Sequence, residues 1–407
     1  MKKKVHKDTY IVTLYIILLL IGRDFAIFGR FSATTILLPI MICHLVLNNS
    51  GQRYKDIKSV ITLYLIYIIW FFFAGSLNGD FAASSSSLSL FINYFSCIMI
   101  ATLIALKFRG IQQIKIITCF FYLILIFNIL ITILQFFNLG VGWTIWEWFN
   151  PDIDALTEEH FMDAIQGGGQ ELGISFSPGF FQSGVTNGYF MASFGLLPLV
   201  LSAMTSSTCK RVLLYCTYIF SLITLFIIQQ RAAFFIFLFF SLLILYKTIK
   251  VQKGFLFITF LGVLYLVASY DGVLELGRFR EISLEEDSRY ILFQQSIDYI
   301  SHNLILGGRL DFLTVSGKNA HNFIFNAFIY SGLVGAILLI SIVCKMMLTS
   351  LKALLYIVPS YSLFFSCALI TYLLIGFVHN ESLVTGTPVI FILYSLLVVT
   401  FTLEKQR

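Results

Sequence analysis

The stretch IITCFFYLILIFNILITILQFF, residues 116–137, contains no charged residue and no proline. About 20 apolar residues of α-helix cross the hydrocarbon core of a bilayer, so this stretch predicts a transmembrane helix. Further apolar runs of spanning length occupy residues 10–28, 31–47, 59–75, 88–106, 184–204, 212–228, 232–246, 254–269, 321–344, 353–377 and 386–403.

The composition of the whole chain agrees with this pattern. Of its 407 residues, 58% are hydrophobic and only 12% are charged, whereas a soluble domain carries about 25% charged residues. We therefore predict an all-α polytopic membrane protein with about 12 transmembrane helices and two large loops on its outer, non-cytoplasmic side. The expected divisions are helices one to five in 1–137, the first loop in 138–183, helices six to nine in 184–269, the second loop in 270–320, and helices ten to twelve in 321–407.

The distribution of Lys and Arg predicts the orientation. With both termini in the cytoplasm, 19 of the 27 basic residues fall on the cytoplasmic side, as the positive-inside rule requires. The net charge of +6 is then a topology signal, and no nucleic-acid partner is expected. Trp143, Trp146 and Trp148 begin the first outer loop and predict an interfacial helix, and Trp70 falls at the outer end of its own span.

Two outer residues are the leading candidates for chemistry. Arg231 lies between two apolar runs joined by almost no loop, where an Arg is costly unless it is paired or binds an anion. His321 opens a long predicted helix whose N-terminus would face outward with free N–H groups, and a neutral His there could act as a base. The alternatives are a snorkelling Arg for the first, and a His and Asn that only cap the helix for the second.

Weaker candidates surround these two. Arg289 and Arg309 lie in the second outer loop, Asn322 follows the candidate base, and His379 and Glu381 lie in a short outer turn near the membrane. Each has an ordinary alternative as a surface charge or cap. Asp152 and Asp154 could hold a divalent cation, but nothing nearby completes a ligand set, and no metal is expected.

The order of the candidate segments resembles the O-antigen polymerase and O-antigen ligase superfamily of bacterial envelope glycosyltransferases. The pieces that carry the resemblance are Gly179-Phe180-Phe181, Asn187-Gly188, Gln230-Arg231-Ala232, Ser288-Arg289-Tyr290, Leu306-Gly307-Gly308, Ala320-His321-Asn322 and Gly332-Leu333-Val334-Gly335. They span roughly residues 176–340. The chain departs from the more usual Ser/Thr-Arg of the family by having Gln230 before Arg231.

The resemblance implies a GT-C-like fold in the bacterial inner membrane, with periplasmic loops and cytoplasmic termini. It implies an O-antigen polymerase that moves a growing glycan from undecaprenyl diphosphate to a lipid-linked repeat unit without a metal or cofactor. Arg231 and Arg289 would bind the donor diphosphate, and His321 would take the proton of the attacking hydroxyl. Expected partners are the undecaprenyl-diphosphate-linked oligosaccharide and the lipid bilayer, with a chain-length regulator left open.

Other functions remain as alternatives. The ligase, which transfers finished polymer to lipid A–core, shares these motifs, and a capsule or exopolysaccharide polymerase is also compatible with them. The polymerase is preferred on the Phe- and Tyr-rich character of the chain. A lipid-linked oligosaccharide flippase is less favoured, because the sequence shows no internal repeat and its charges concentrate on one face.

Overall fold

A computed structural model describes residues 7–21, 26–27, 31–46, 54–80, 84–137, 139–149, 177–181, 184–228, 230–249, 288–317, 319–320, 322–356, 359–377 and 383–406. The elements are α1 (Lys7–Ile21), β1 (Ala26–Ile27), β2 (Phe31–Ser32), α2 (Ala33–Val46), α3 (Lys55–Leu77), α4 (Ser84–Lys107), α5 (Ile111–Phe136), α6 (Gly140–Phe149), α7 (Gly184–Phe194), α8 (Leu197–Met204), α9 (Thr208–Ile228), α10 (Arg231–Ile249), α11 (Ser288–His302), α12 (Arg309–Ser316), α13 (Phe323–Leu354), α14 (Tyr361–Gly376), the 3-10 helix η1 (Leu383–Thr385) and α15 (Pro388–Lys405). The antiparallel pair of β1 and β2 departs from a purely helical chain.

Apolar helices dominate the described part of the chain. Seven are long and apolar enough to cross a membrane: Lys55–Leu77, Leu90–Lys107, Ile111–Phe136, Gly184–Met204, Thr208–Ile228, Phe323–Leu354 and Pro388–Lys405. Four shorter ones are Asp8–Leu20, Thr35–Leu45, Ala232–Thr248 and Tyr361–Gly376. The prediction of a helical multi-pass membrane protein is confirmed. These eleven helices correspond to eleven of the twelve predicted runs; run 254–269 lies outside the described residues, and the count of twelve crossings stays a prediction.

The predicted span 184–204 is divided into α7 and α8 at Gly195 and Leu196. Proline has no N–H, and its ring clashes with the carbonyl four residues earlier, which disfavours an unbroken helix. Pro198 stands in the first turn of α8, where a missing N–H costs nothing. The interruption therefore follows from a single residue.

Side-chain contacts define the two ends of the bundle. At one end, which we call the basic end, Lys107 pairs with Asp8 at 2.8 Å, Lys345 bonds to Ser59, and Glu404 accepts from the backbone N–H of Tyr361. The opposite end, where α3 ends and α12 lies, we call the loop end. Lys107, Lys345 and Lys405 thus lie at the basic end, whereas Arg309 begins α12 at the loop end.

Helices α14 and α15 form the centre of the bundle. Every residue of α15 from Pro388 to Thr400 is buried, and α14 is buried along nearly its whole length. A helix that is apolar on all sides is expected in such a position, where other helices surround it. α3, α4 and α13 pack around this pair.

Helix α13 reverses direction at Gly332. This residue has φ +61° and ψ −166°, far from helical values. Phe323 and Val343 line the same apolar recess, together with Phe377 and Leu383, whereas a straight helix would separate residues 20 apart by about 30 Å. The segment from Phe323 to the break is therefore a short re-entrant helix, and only the part after Gly332 continues to the basic end.

The 3-10 helix η1, which precedes α15, also lies inside the bundle. Leu383 and Val384 of η1 are buried, and their carbonyl oxygens accept hydrogen bonds from Tyr64 (3.0 Å) and Tyr94 (2.6 Å). Non-helical backbone at membrane depth is tolerated only where its polar groups are satisfied in this way. The buried tyrosines of α3 and α4 are thus the partners that hold η1 inside the helical core.

Candidate functional site

The structure describes the predicted site residues to different extents. Arg309 and Asn322 are described with their side chains. For Arg231, the first residue of α10, and Arg289, the second residue of α11, only the backbone is described. His321, His379 and Glu381 lie outside the described residues, so their predicted roles stay predictions.

A loop between α11 and α12 docks into the break of α13. The backbone N–H of Gly308 donates to the carbonyl of Ile329 at 2.8 Å, and the N–H of Leu333 donates to the carbonyl of Leu304 at 2.8 Å. A Cβ at Gly332 would collide with the carbonyl oxygen of Ile305. The Leu306-Gly307-Gly308 and Gly332-Leu333 segments, far apart in sequence, therefore pack backbone against backbone, which explains their glycines.

Two polar side chains of α3 and its C-terminal turn complete this junction. Trp70 Nε1 donates to the carbonyl of Ser331 at 2.8 Å, and Asn78 Nδ2 donates to the carbonyl of Leu306 at 3.2 Å. Trp70 lies in the C-terminal half of α3, and the prediction that this half faces outward stays a prediction. Its indole N–H, however, satisfies a carbonyl that the helix break would otherwise leave without a partner.

The carboxylate of Asp80 caps α12. Its Oδ2 accepts from the N–H of Arg309 at 3.0 Å and its Oδ1 accepts from the N–H of Leu310 at 2.9 Å. Asp80 is only 6% exposed. A carboxylate at a helix N-terminus satisfies free N–H groups and interacts favourably with the helix dipole, so Asp80 fixes the position from which the Arg309 side chain starts.

Tyr330 connects Arg309 to the segment that contains His321. The guanidinium carbon of Arg309 lies 5.2 Å from the centroid of the Tyr330 ring, within the range of a cation–π interaction. The Tyr330 hydroxyl donates to Asn319 Oδ1 at 2.9 Å. Tyr330 therefore contacts both the Arg309 cation at the loop end and Asn319, which lies two residues before the candidate base.

The residues on both sides of His321 are fixed by asparagines. The N–H of Ala320 donates to Asn326 Oδ1 at 3.1 Å. Asn322 Oδ1 accepts from the N–H groups of Ile324 (2.8 Å) and Phe325 (3.2 Å) and so caps α13. Asn322 therefore occupies two of the N–H groups that were expected to be free at this helix start, and the outward-facing orientation of the start stays a prediction.

Asn322 also bonds to a second helix. Its Nδ2 donates to the carbonyl of Phe377 at 2.8 Å, directly after α14. Asn322 is therefore a helix cap, as the alternative interpretation held, and its side-chain oxygen and nitrogen both bond to backbone groups. Its contribution to a site is to hold the backbone next to His321 in place.

A buried amide network holds the segment before α7. Asn128 Nδ2 donates to Asn187 Oδ1 at 2.7 Å, and Asn128 Oδ1 accepts from the N–H of Phe180 at 3.3 Å. Gln135 forms two hydrogen bonds with the backbone of Gly179, one at 2.7 Å and one at 2.9 Å. Polar side chains inside apolar spans are rare and usually functional; here they fix Gly179-Phe180-Phe181 on α5.

Two further segments that carry the resemblance, Asn187-Gly188 and Gln230-Arg231-Ala232, lie next to each other where α7 contacts the start of α10. A Cβ at Gly188 would lie 2.8 Å from Cγ of Gln230, the residue before Arg231. The neighbouring Tyr189 packs on Tyr372 of α14, with ring centroids 5.0 Å apart. Since the chain directly after α14 bonds to Asn322, the start of α13 and the α7 segment beside the start of α10 both lie near the C-terminal half of α14.

Tyr299 of α11 secures the loop-end helices to each other. Its hydroxyl lies 2.7 Å from the carbonyl oxygen of Gly308 and 3.2 Å from Oδ2 of Asp311. Burial, followed by the neighbouring Asp311 carboxylate, raises the pKa of the Tyr299 phenol well above its usual value. The phenol therefore stays protonated and able to donate over the physiological pH range.

Asp80, Tyr330, Asn319 and Asn326 were missed in the sequence. Asp80 stands in a short turn as an ordinary acidic residue, and the other three stand in or before an apolar run, so only tertiary contact reveals them. Within the part of the chain that the structure describes, no group of three or more His, Cys, Asp or Glu could hold a metal.

The fold and this site define the class as a multi-pass helical membrane protein with a re-entrant helix at its loop end. No protein-family model matches the chain, and no curated protein matches its sequence.

Proposed function

We propose that this chain is a polyprenyl-diphosphate-dependent glycosyltransferase, an O-antigen polymerase of the bacterial inner membrane with twelve crossings, a GT-C-like fold and both termini in the cytoplasm. The observation that supports the proposal most strongly is the re-entrant helix. Asn322 caps this helix and Ala320 bonds to Asn326, so the described residues on both sides of His321 are held, and Tyr330 of the same short helix contacts the Arg309 cation.

The chemistry needs a base and an anion site. The acceptor hydroxyl attacks the anomeric carbon of the donor sugar, its proton passes to His321, and the bond from that carbon to the diphosphate oxygen breaks. The electron pair leaves with undecaprenyl diphosphate, whose charge Arg231 and Arg289 stabilise. Guanidinium groups bind phosphate oxygens in pairs and stay charged at all relevant pH values, so they can serve where other enzymes use a metal ion.

The arrangement of helices favours this assignment of residues. Arg231 begins α10 directly after Gln230, which contacts Gly188, and both Tyr189 and the cap at Asn322 contact the C-terminal part of α14 or the residue after it. A lipid carrier keeps its diphosphate near the membrane surface while its chain stays in lipid. A base next to the cap at Asn322, with cations at the starts of α10 and α11, would suit a substrate that enters from the membrane.

The orientation proposal rests on charge. Lys107, Lys345, Lys247 and Lys405 all belong to the basic end or to the helices that finish there. Basic residues are retained on the cytoplasmic side of bacterial inner membranes. The loop end, with Asp80, Asp311 and the candidate site, would then face the periplasm, where lipid-linked glycans are polymerised.

The test is elongation of a lipid-linked repeat unit by the purified protein in nanodiscs. Wild type should form a ladder, and His321→Ala should lower the rate by about 10²–10⁴, the usual contribution of a general base. His302→Ala is the matched control, because His302 is exposed on α11 and should keep the wild-type rate. Excess EDTA should have no effect.

Three outcomes would contradict the proposal. An unchanged rate in His321→Ala would exclude His321 as the general base. Loss of activity in EDTA and its recovery with Mg²⁺ would indicate a metal-dependent mechanism, with Asp152 and Asp154 as candidate ligands. Product formed only on lipid A–core would identify the ligase instead.

A further inference from the structure

Arg309 presents a charge that the described residues do not neutralise. Its side chain is half-buried and rests on the face of Tyr330. The described ion pairs join Lys107 to Asp8 and His302 to Asp298, and no described carboxylate lies within 4 Å of the Arg309 guanidinium. A cation in this position costs free energy unless it faces water or binds an anion.

The two acidic residues nearest in the fold are engaged elsewhere. Both oxygens of Asp80 accept backbone N–H groups at the start of α12. Asp311 Oδ2 lies 3.2 Å from the hydroxyl of Tyr299. The Asp80 carboxylate thus holds the backbone of Arg309, while the guanidinium lies against Tyr330 and bonds to neither carboxylate. Its Nε is buried and has no hydrogen-bond partner among the described atoms.

We propose that Arg309 and Tyr330 form an oxyanion-binding subsite for the substrate glycan, separate from the diphosphate site assigned to Arg231 and Arg289. The identity of the substrate rests on the proposed function. The ligand is a carboxylate or phosphate oxyanion, which a guanidinium binds through paired N–H donors. Its source is either an acidic sugar or the phosphate of the lipid-linked acceptor.

Tyr330 connects this subsite to the segment that contains His321. The Arg309 guanidinium lies over its ring, and its hydroxyl donates to Asn319 Oδ1 at 2.9 Å, two residues before His321. An anion on Arg309 is nevertheless not part of the bond that breaks. Its binding energy is the same in the ground state and the transition state, so it should act on KM and leave kcat unchanged.

The experiment measures binding without turnover. Inorganic pyrophosphate and glucuronate are titrated separately into the full-length protein in nanodiscs, in an Arg231→Gln/Arg289→Gln background that removes the proposed donor site. Adding Arg309→Gln should weaken binding of the better probe by about tenfold or more, the usual effect of losing a charge-assisted bond. Arg211→Gln is the control, because Arg211 is an exposed Arg at a helix start that bonds to the carbonyl of Thr205.

The outcomes separate the sources and the proposals. Tighter binding of pyrophosphate points to carrier phosphate, and tighter binding of glucuronate points to an acidic sugar. Unchanged affinity in Arg309→Gln, or no binding of either anion before it is introduced, overturns the subsite. If Arg309→Gln does not fold, Arg309→Lys keeps the charge, loses the paired donors and should still weaken binding measurably. A wild-type protein that binds anion through Arg309 but transfers no glycan refutes the proposed function alone.

Discussion

Replacing Gly332 with alanine is expected to separate the Leu304–Gly308 loop from α13. The residue has φ +61° and ψ −166°, a conformation that alanine rarely adopts, and its Cβ would collide with the carbonyl oxygen of Ile305. The colliding atom is backbone and cannot rotate away. Either α13 or the docked loop must therefore move.

The cost can be worked from these contacts. A side chain in this backbone region costs about 1–3 kcal/mol. Displacing the loop also breaks the hydrogen bonds from Leu333 to Leu304 and from Gly308 to Ile329, which contribute about 1 kcal/mol each. The sum, about 3–5 kcal/mol, shifts the docking equilibrium by roughly 10²–10⁴.

The measurement is the free energy of unfolding in detergent micelles, together with the rate of proteolysis in the segment 303–308. Gly317→Ala is the matched control: Gly317 has φ +68° at the end of α12, but a Cβ there meets no atom within 4 Å. Its cost should be limited to backbone strain, about 1–2 kcal/mol. Equal stability and equal protection of the two variants would refute the reversal of α13 at Gly332.

Three further changes test individual contacts. Asn322→Ala should lower the free energy of unfolding by about 0.5–2 kcal/mol through the lost cap, and Asn322→Ser should recover part of it; equal values would exclude capping. Trp70→Phe should cost about 0.6–1.7 kcal/mol, because the carbonyl of Ser331 loses its donor; a neutral effect in a denaturation titration would contradict this. For Tyr299, whose folded pKa is raised, the stability it adds is complete below about pH 10, its ordinary pKa, and is lost as pH rises toward the folded value. A stability–pH series should therefore show wild type losing its advantage over Tyr299→Phe above that pH, and parallel curves would contradict the burial of the phenol.

The helices could be predicted from sequence because their cause is local. An uninterrupted apolar run such as 116–137 has few alternatives to a membrane helix, and it is found as Ile111–Phe136. The charged pattern near residues 288–301 likewise predicts a helix within the second outer loop, and this helix is found as Ser288–His302. In both segments the residues that decide the structure are neighbours along the chain.

The reversal of α13 could not be predicted because its cause is not local. The run from residue 321 to 344 is apolar on both sides of Gly332, and glycine is tolerated in membrane helices. The break becomes favourable only when Leu304, Gly308 and Trp70 supply partners for the freed backbone groups. Periodicity therefore indicated one outward-facing helix where the chain forms a re-entrant segment and a span.

The candidate site was also predictable only where its cause is local. Arg309 was recognisable as a basic residue of the second outer loop, yet its surroundings depend on Asp80 and Tyr330, which come from two other parts of the chain. Asn322 was recognisable as a cap, while its bond to Phe377 needed the position of α14. Residue types pointed to the chemistry, and tertiary contacts determined which atoms are already engaged.

The most direct test of the proposed function is the lipopolysaccharide gel profile of cells that lack this chain, complemented with wild type, His321→Ala or His302→Ala. The account predicts single-repeat, semi-rough lipopolysaccharide in the deletion, a ladder restored by wild type and His302→Ala, and no ladder with His321→Ala. Bare core with accumulated lipid-linked polymer in the deletion would contradict it in favour of the ligase. A full ladder in the deletion would show that O-antigen assembly does not require this protein.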